Sequence, residues 1–297
     1  MSSALFELLS FYGSLGRPLS FVEIATHISR DPAHAHALMK ELVHAASRTE
    51  VLEEDGFYWL SRFPLTSTGR RTQDLLLDTK WRKLSHYARL LRYVPFIEFV
   101  AASGSLVFGN VSRSSDLDVL VGVRAGRMFM ARYCLVALFS LFRARRKDDI
   151  HASSPDRLCF NHFVAPAAYE KEPHNYYRRE LYRNMVPLWA EESAYRAFVA
   201  RNTAWSGVSI LSLSDAHRRD ATKSSVVRAV ERLLSGRLGD MIERHIARPI
   251  AMARLAAYAK RKGGGERVVI TDDELEFHFY LKYERVFSRP ASPYPDR

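Results

Sequence analysis

The chain has 297 residues, 47% of them hydrophobic, which suits two or three domains with folded cores. Its two cysteines exclude a disulfide scaffold and a cysteine-cluster zinc site. The net charge of +11 is uneven, at −4 over residues 1–60 and +15 over residues 61–297, so the basic region is expected to attract triphosphates or nucleic acid.

Residues 1–65 contain three predicted helices followed by a hairpin. Apolar periodicity places the helices at 4–12, 20–28 and 32–46, and a capping-box pattern of Ser20 and Glu23 opens the second one. Two short strands are predicted around the turn Asp55-Gly56. This order resembles winged helix-turn-helix domains.

The charge of this segment argues against tight DNA binding by residues 1–65 alone. The tip of the predicted wing is Glu53-Glu54-Asp55, and acidic groups there repel phosphate. A role in protein contact, dimerisation or packing therefore stays open beside DNA binding.

Residues 66–94 are predicted to form a linker and then a basic helix, which Pro95 ends before an apolar strand. That strand leads into Gly104-Ser105, and the next apolar strand contains Asp116 and Asp118. Side chains two residues apart in a strand lie on one face, so the two carboxylates are expected to share a cation. Mg²⁺ suits oxygen ligands, and the Gly-Ser turn offers backbone amides for phosphates. The alternative is a surface hairpin with two solvated carboxylates.

An apolar helix is predicted after Gly126, through Phe142, with Arg132 inside it. It is too short and too charged to span a bilayer, and the N-terminal residues show no basic segment of a signal peptide. We therefore expect a soluble cytoplasmic protein without a membrane partner. Cys134 and Cys159 lie in apolar runs and are predicted to be buried thiols.

The next predicted strand, residues 157–164, contains Asn161 and His162. On a regular strand the two side chains face opposite sides, and His162 is interpreted as structural. The acids Asp148, Asp149 and Asp156 are placed in the loop before this strand.

Residues 166–297 are predicted to be a C-terminal helical region. The predicted helices are 176–187, 193–205, 226–262, weakened by Gly236, Gly239 and Pro249, and 272–287.

The stretch from Phe99 to Val121 resembles the signature of the DNA polymerase β-type nucleotidyltransferase superfamily. The matching residues are Gly104, Ser105, Asp116, Leu117, Asp118 and Val119. The resemblance implies an α+β fold: a small mixed sheet with helices at residues 66–165, flanked by the winged helix (1–65) and the C-terminal helical region (166–297). It implies that Gly104 and Ser105 bind nucleotide phosphates, and that Asp116 and Asp118 are catalytic and hold one or two Mg²⁺ ions. The family's third metal-site acid, which helps to deprotonate the attacking hydroxyl, aligns with Asn161. Asn161 is therefore predicted as the third metal ligand, although an asparagine cannot act as a base.

Two functions are compatible with this pattern. The first is a Mg²⁺-dependent nucleotidyltransferase that moves a nucleoside monophosphate from an NTP to a hydroxyl of RNA, a protein or a small molecule. The second is a catalytically degenerate nucleotide-binding regulator or scaffold, favoured by Asn161. Nucleic acid, if it binds, is expected at the basic region 61–297.

Overall fold

The computed structural model of the protein describes residues 1–29, 31–145, 155–170, 174–209, 217, 219–220, 222–261 and 267–278. The structure is mixed α+β with two sheets, so the predicted α+β class is confirmed. The chain divides into two compact units. The first unit is Met1–Asp78 with Phe108–Ser112, and the second unit is Thr79–Val107 with Arg113–Arg297. This division differs from the three predicted domains, which had boundaries near residues 65 and 165.

The first unit has the predicted order of elements. They are α1 (Ser3–Ser14), β1 (Leu19–Ser20), α2 (Phe21–Ile28), α3 (Pro32–Ser47), β2 (Val51–Glu54), β3 (Phe57–Leu60) and the start of α4 (Ser67–Ala88). The strands form an antiparallel sheet in the order β1-β3-β2. Asp55 and Gly56 both have positive φ, 55° and 79°, as a tight two-residue hairpin turn requires. The predicted capping box is present, with Ser20 and Glu23 bonded reciprocally.

A buried network of charges joins the elements of the first unit. Arg70, only 6% exposed, donates to both carboxylate oxygens of Glu23, at 2.8 and 2.9 Å, and also to Asp74. Arg17, 5% exposed, contacts the same two acids. Burial acts to raise the pKa of Glu23, but hydrogen bonds and charge from Arg70, the Ser20 amide and Arg17 lower it to about 2.

The second unit is built on a seven-stranded sheet. Its elements are the rest of α4, β4 (Ile97–Ala102), α5 (Ser105–Phe108), β5 (Leu117–Val123), α6 (Met128–Leu141), β6 (Leu158–Val164), α7 (Tyr176–Arg183), β7 (Val186–Ala190), α8 (Glu192–Ser206), β8 (Arg219–Asp220), α9 (Ser225–Leu233), α10 (Arg237–Ile242), a π-helical turn (Glu243–Ala247), α11 (Arg248–Arg261), β9 (Arg267–Ile270) and β10 (Glu274–His278). Short 3₁₀ turns lie at Leu91–Tyr93 and Pro166–Ala168. The strand order is β8-β7-β4-β5-β6-β10-β9. Strand β5 is antiparallel to β4 and parallel to β6.

The prediction that residues 166–297 are purely helical is wrong, because four strands from this segment complete the sheet. The helix predicted to end at Pro187 ends at Arg183, and Pro187 lies within β7. A register shift between β4 and β7 falls at Val100/Ala101, opposite Trp189 and Pro187. Such an irregularity accommodates a residue that cannot donate a ladder hydrogen bond.

The helix predicted over 272–287 is also wrong where the structure describes it. Residues 274–278 form β10, in which Leu275, Glu276 and Phe277 are all buried, as in a strand that is covered on both faces. Residues 279–287 lie outside the described residues, as do Asp148 and Asp149. The long helix predicted over 226–262 is divided into α9, α10, a π-helical turn and α11, with Gly236 as the N-cap of α10.

Helices cover both faces of the large sheet. On one face, α7 and α8 place Tyr182 and Phe198 against Phe99 and Leu120 of the sheet. On the other face, α4 and α6 contribute Leu84, Ala88 and Phe139, which lie with Val100 and Phe160. The two central strands β4 and β5 are therefore fixed by packing from both sides. In the described part of the chain, no helix combines the length and the apolar character needed to cross a membrane.

We predict that Glu23→Gln lowers the free energy of unfolding at pH 7 by on the order of 3 kcal/mol. The lowered pKa of Glu23 means that its stabilisation is complete above the ordinary value of 4.5 and is lost as the pH falls towards about 2. Urea denaturation of both proteins across this pH range should show the difference shrinking at low pH. Glu7→Gln, at an exposed position of α1, is the control. A difference that stays constant down to pH 2 would contradict the assignment.

Candidate active site

The Gly104-Ser105 turn lies directly against the Asp118 side chain. Strand β4 ends at Ala102, and the backbone N–H of Ser103 donates to the carbonyl of Asp118, at 3.0 Å. Gly104 has a φ of +63°, and a Cβ added there would overlap Asp118 Oδ2 and lie 3.0 Å from its Cβ and Cγ. Glycine is therefore required at this position for two reasons: its backbone is left-handed, and the Asp118 side chain leaves no room for a Cβ. Helix α5 begins at Ser105, directly after this turn.

The two predicted acids lie at the start of β5. Asp116 precedes the first residue of the strand and Asp118 is its second residue; both side chains are half-buried. Their carboxylates and the Cys159 thiol each offer an atom within 4.8 Å of the others. Two carboxylates this close favour a bound cation, because a cation between them offsets the repulsion of their negative charges.

Asn161 lies on the neighbouring strand β6, where the sequence places it. Its side-chain Nδ2 donates to Asp118 Oδ1, at 3.1 Å. The group that faces the carboxylate is thus a donor, and in this arrangement Asn161 holds Asp118 in place. To act as the predicted third metal ligand, Asn161 would have to present its amide oxygen to the site instead of its nitrogen.

Cys159 is the site residue that sequence reasoning missed. It was predicted, with Cys134, to be a buried thiol, but both are only half-buried. Strand β6 runs parallel to β5 with Cys159 directly beside Asp118. The signal in the sequence is its spacing, since residues 159 and 161 share a strand face.

His162 does not face away from the site, as a regular strand would require. The register pairs Asp118 with Cys159 and Leu120 with His162, so β6 has one residue more than β5 between these pairs. This bulge turns His162 to the face of β5 that carries Asp118 and Leu120. His162 is 8% exposed, and its Nε2 lies 3.1 Å from Glu274 Oε1. With Glu276 these side chains form a second group of potential ligand atoms within 4.8 Å.

The backbone on both sides of Asp116 is held by the segment before β6. The carbonyl of Ser115 accepts from the Asp156 amide, at 3.2 Å, and the Leu117 amide donates to the Arg157 carbonyl, at 2.8 Å. Lys80 is 2% exposed and donates to the same Ser115 carbonyl, at 2.6 Å, and to the Asp156 carboxylate, at 2.8 Å. Burial opposes ionisation of Asp156, but hydrogen bonds from Lys80 and Lys83 lower its pKa.

Comparisons of the chain with protein-family models, with curated proteins and with solved structures find no match.

We predict that Gly104→Ala destabilises the protein more than Gly126→Ala. Both glycines have positive φ, +63° and +69°, but a Cβ at Gly126 meets nothing within 4 Å. The Gly126 variant should lose about 1 kcal/mol from backbone strain alone. The Gly104 variant should lose about 1–3 kcal/mol more, because Asp118 must shift. Chemical denaturation measures both, and equal losses would contradict the packing of the turn on Asp118.

Proposed function

We propose that the protein is a Mg²⁺-dependent nucleotidyltransferase that transfers a nucleoside monophosphate from an NTP to a hydroxyl acceptor. The observation that carries the proposal is the packing of the Gly104 turn against Asp118, with Asp116 on the same side of the strand. A turn of close backbone amides beside two carboxylates offers adjacent positions for phosphates and for their metal ions.

We also propose that the central strands are a polymerase β-like core. The support is topological: the Gly-Ser turn follows β4, the acids lie on the antiparallel neighbour β5, and Asn161 lies on β6, parallel to β5. This is the order that the motif resemblance implies.

The first unit is proposed to be a winged-helix-like module that makes protein contacts rather than DNA contacts. Its wing is tied to the start of α4, where Glu54 and Asp55 accept from the backbone and hydroxyl of Ser67, at 2.8 and 2.7 Å. The acidic residues of the wing repel a phosphate backbone, so the wing is not expected to bind DNA.

The donor set fits Mg²⁺ at Asp116 and Asp118, since hard cations prefer carboxylate oxygens. The Cys159 thiol is a poor ligand for such an ion, and the Asn161 amide nitrogen is none. When bound, Mg²⁺ would neutralise negative charge on the phosphates.

In the proposed reaction, the chain acts by positioning. The backbone of Gly104 and Ser105 binds the phosphates beyond the α-phosphorus, and Asn161 keeps Asp118 oriented. The acceptor oxygen forms a bond to the α-phosphorus, the bond to the β-phosphate oxygen breaks, and pyrophosphate leaves with the electron pair. The proton of the acceptor hydroxyl passes to water, because the amide of Asn161 is not a base.

The second candidate is a nucleotide-binding regulator or scaffold without transfer. It is favoured by the amide of Asn161 at the position where the resemblance implies a third acid. Incubation with labelled NTPs, Mg²⁺ and cell extract separates the two candidates, because only an enzyme transfers label to an acceptor.

We predict that Asp118→Asn weakens Mg²⁺-NTP binding by about tenfold or more, since a ligand carboxylate becomes a neutral amide. Calorimetry in the presence of Mg²⁺ measures the affinity. Glu192→Gln, which removes one carboxylate from an exposed pair on α8, is the matched control and should bind as the unaltered protein does. Unchanged affinity in the Asp118 variant would refute the metal site.

We further predict opposite effects of Asn161→Asp with and without metal. In EDTA the variant should lose about 1–3 kcal/mol, because the hydrogen bond to Asp118 is replaced by repulsion between carboxylates. Excess Mg²⁺ should restore stability and raise the melting temperature more than it does for the unaltered protein. Asn184→Asp, at the end of α7, should show no such rescue. If Mg²⁺ affects the two variants equally, Asn161 does not face a metal site.

A further inference from the structure

A basic cavity opens beside the segment that holds Asp116. It has a volume of about 600 Å³, and Arg82, Lys83, Arg143 and Arg157 line it. A cavity of this size accommodates a ligand of a few hundred daltons or a short segment of a polymer. Nothing in the proposed phosphate site uses these four cations.

The cavity is rigidly connected to the proposed site. Asp156 and Arg157, which line it, make the backbone hydrogen bonds to Ser115 and Leu117, on either side of Asp116. The segment that lines the cavity is therefore the neighbour of the segment that holds Asp116.

The charge of the cavity selects an anion. Among the described residues that line it, four are cations and Asp156 is the one acid. That acid is already bound by Lys83, and by Lys80, at 2.8 Å from Lys80. The four cations and Asp156 together carry a net charge of +3, which is enough to attract a ligand with several phosphates.

Aromatic side chains accompany these cations. Tyr87 and Phe142 also line the cavity, and Phe142 is 56% exposed. Tyr87 is half-buried. Accessible rings beside cations that track a phosphate backbone are the features that bind single-stranded nucleic acids, because bases stack on the rings. A free triphosphate would use the cations but would leave one of the two rings without a base.

Arg143 lies at the C-terminus of α6, where its φ is positive, 52°. The backbone N–H groups of Arg143 and Ala144 donate to the carbonyls of Ser140 and Phe139, which is a common way for a helix to end. The end of α6 thus fixes the backbone from which the Arg143 side chain extends.

We infer that this cavity binds the phosphodiester backbone and terminal bases of a single-stranded nucleic acid. This inference rests on the proposed function. The acceptor is then the terminal hydroxyl of that strand, and residues 155–157 connect its binding site to Asp116.

The test measures binding of short 5′-labelled RNA and DNA single strands to the full chain by fluorescence anisotropy, in EDTA and without NTP. The double variant Arg82→Gln/Arg143→Gln should bind about tenfold more weakly, and the slope of log affinity against log salt should fall by about 1.4. Phe142→Leu should weaken binding about fivefold or more with an unchanged salt slope, because stacking and not charge is lost. The RNA and DNA arms identify which strand is the ligand.

The matched control is Arg201→Gln/Arg232→Gln, which removes two exposed charges outside the cavity. It should leave the salt slope nearly unchanged. An equal effect of both double variants, or no binding by the unaltered protein, would overturn the inference.

The two proposals fail separately. Asp118→Asn should retain strand binding in EDTA, because Asp118 does not line the cavity. If NTP binds but strands do not, the cavity inference is wrong and the proposed function stands. If strands bind at the cavity but no nucleotide binds, the acceptor role is lost together with the proposed function.

Discussion

The close approach of the Gly104 backbone to the Asp118 carboxylate is the contact on which the candidate site depends. It requires a residue without a Cβ in a left-handed conformation, at the end of a strand that is paired with the strand of the acid. Because β4 and β5 are central in the sheet and covered on both faces, neither strand can shift to relieve the contact. The fold therefore fixes the distance between the turn and the carboxylates.

Around this contact, the chain supports the acids with neutral and cationic groups. The Asn161 amide holds Asp118, and Lys80 holds the carbonyl of Ser115 and the carboxylate of Asp156. These bonds orient the backbone without adding another acid to the site. The two carboxylates are thus positioned before any cation binds. Such preorganisation reduces the conformational entropy that cation binding would cost.

The basic cavity and the acidic pair lie within the same unit and share one short segment, residues 155–157. The hydrogen bonds of this segment to Ser115 and Leu117 connect a positively charged lining to a negatively charged pair. In the proposed reaction, the positively charged lining would attract a phosphate-rich polymer to the cavity, and the two acids would attract metal ions.

Local sequence patterns determined the α+β class, the helices and hairpin of residues 1–60, and the strand that begins directly after Asp116 and contains Asp118. They succeeded because capping residues, the Asp55-Gly56 turn and the apolar alternation act over a few residues. Local patterns did not reveal that β7 and β10 complete the sheet, since Pro187 and the short run at 274–278 become strands only through pairing with β4 and β6. Nor did they reveal the bulge that turns His162, or the place of Cys159 beside Asp118, because register between strands is decided by tertiary pairing. The sequence predicted candidate residues for the chemistry, and the tertiary structure decided which of them meet.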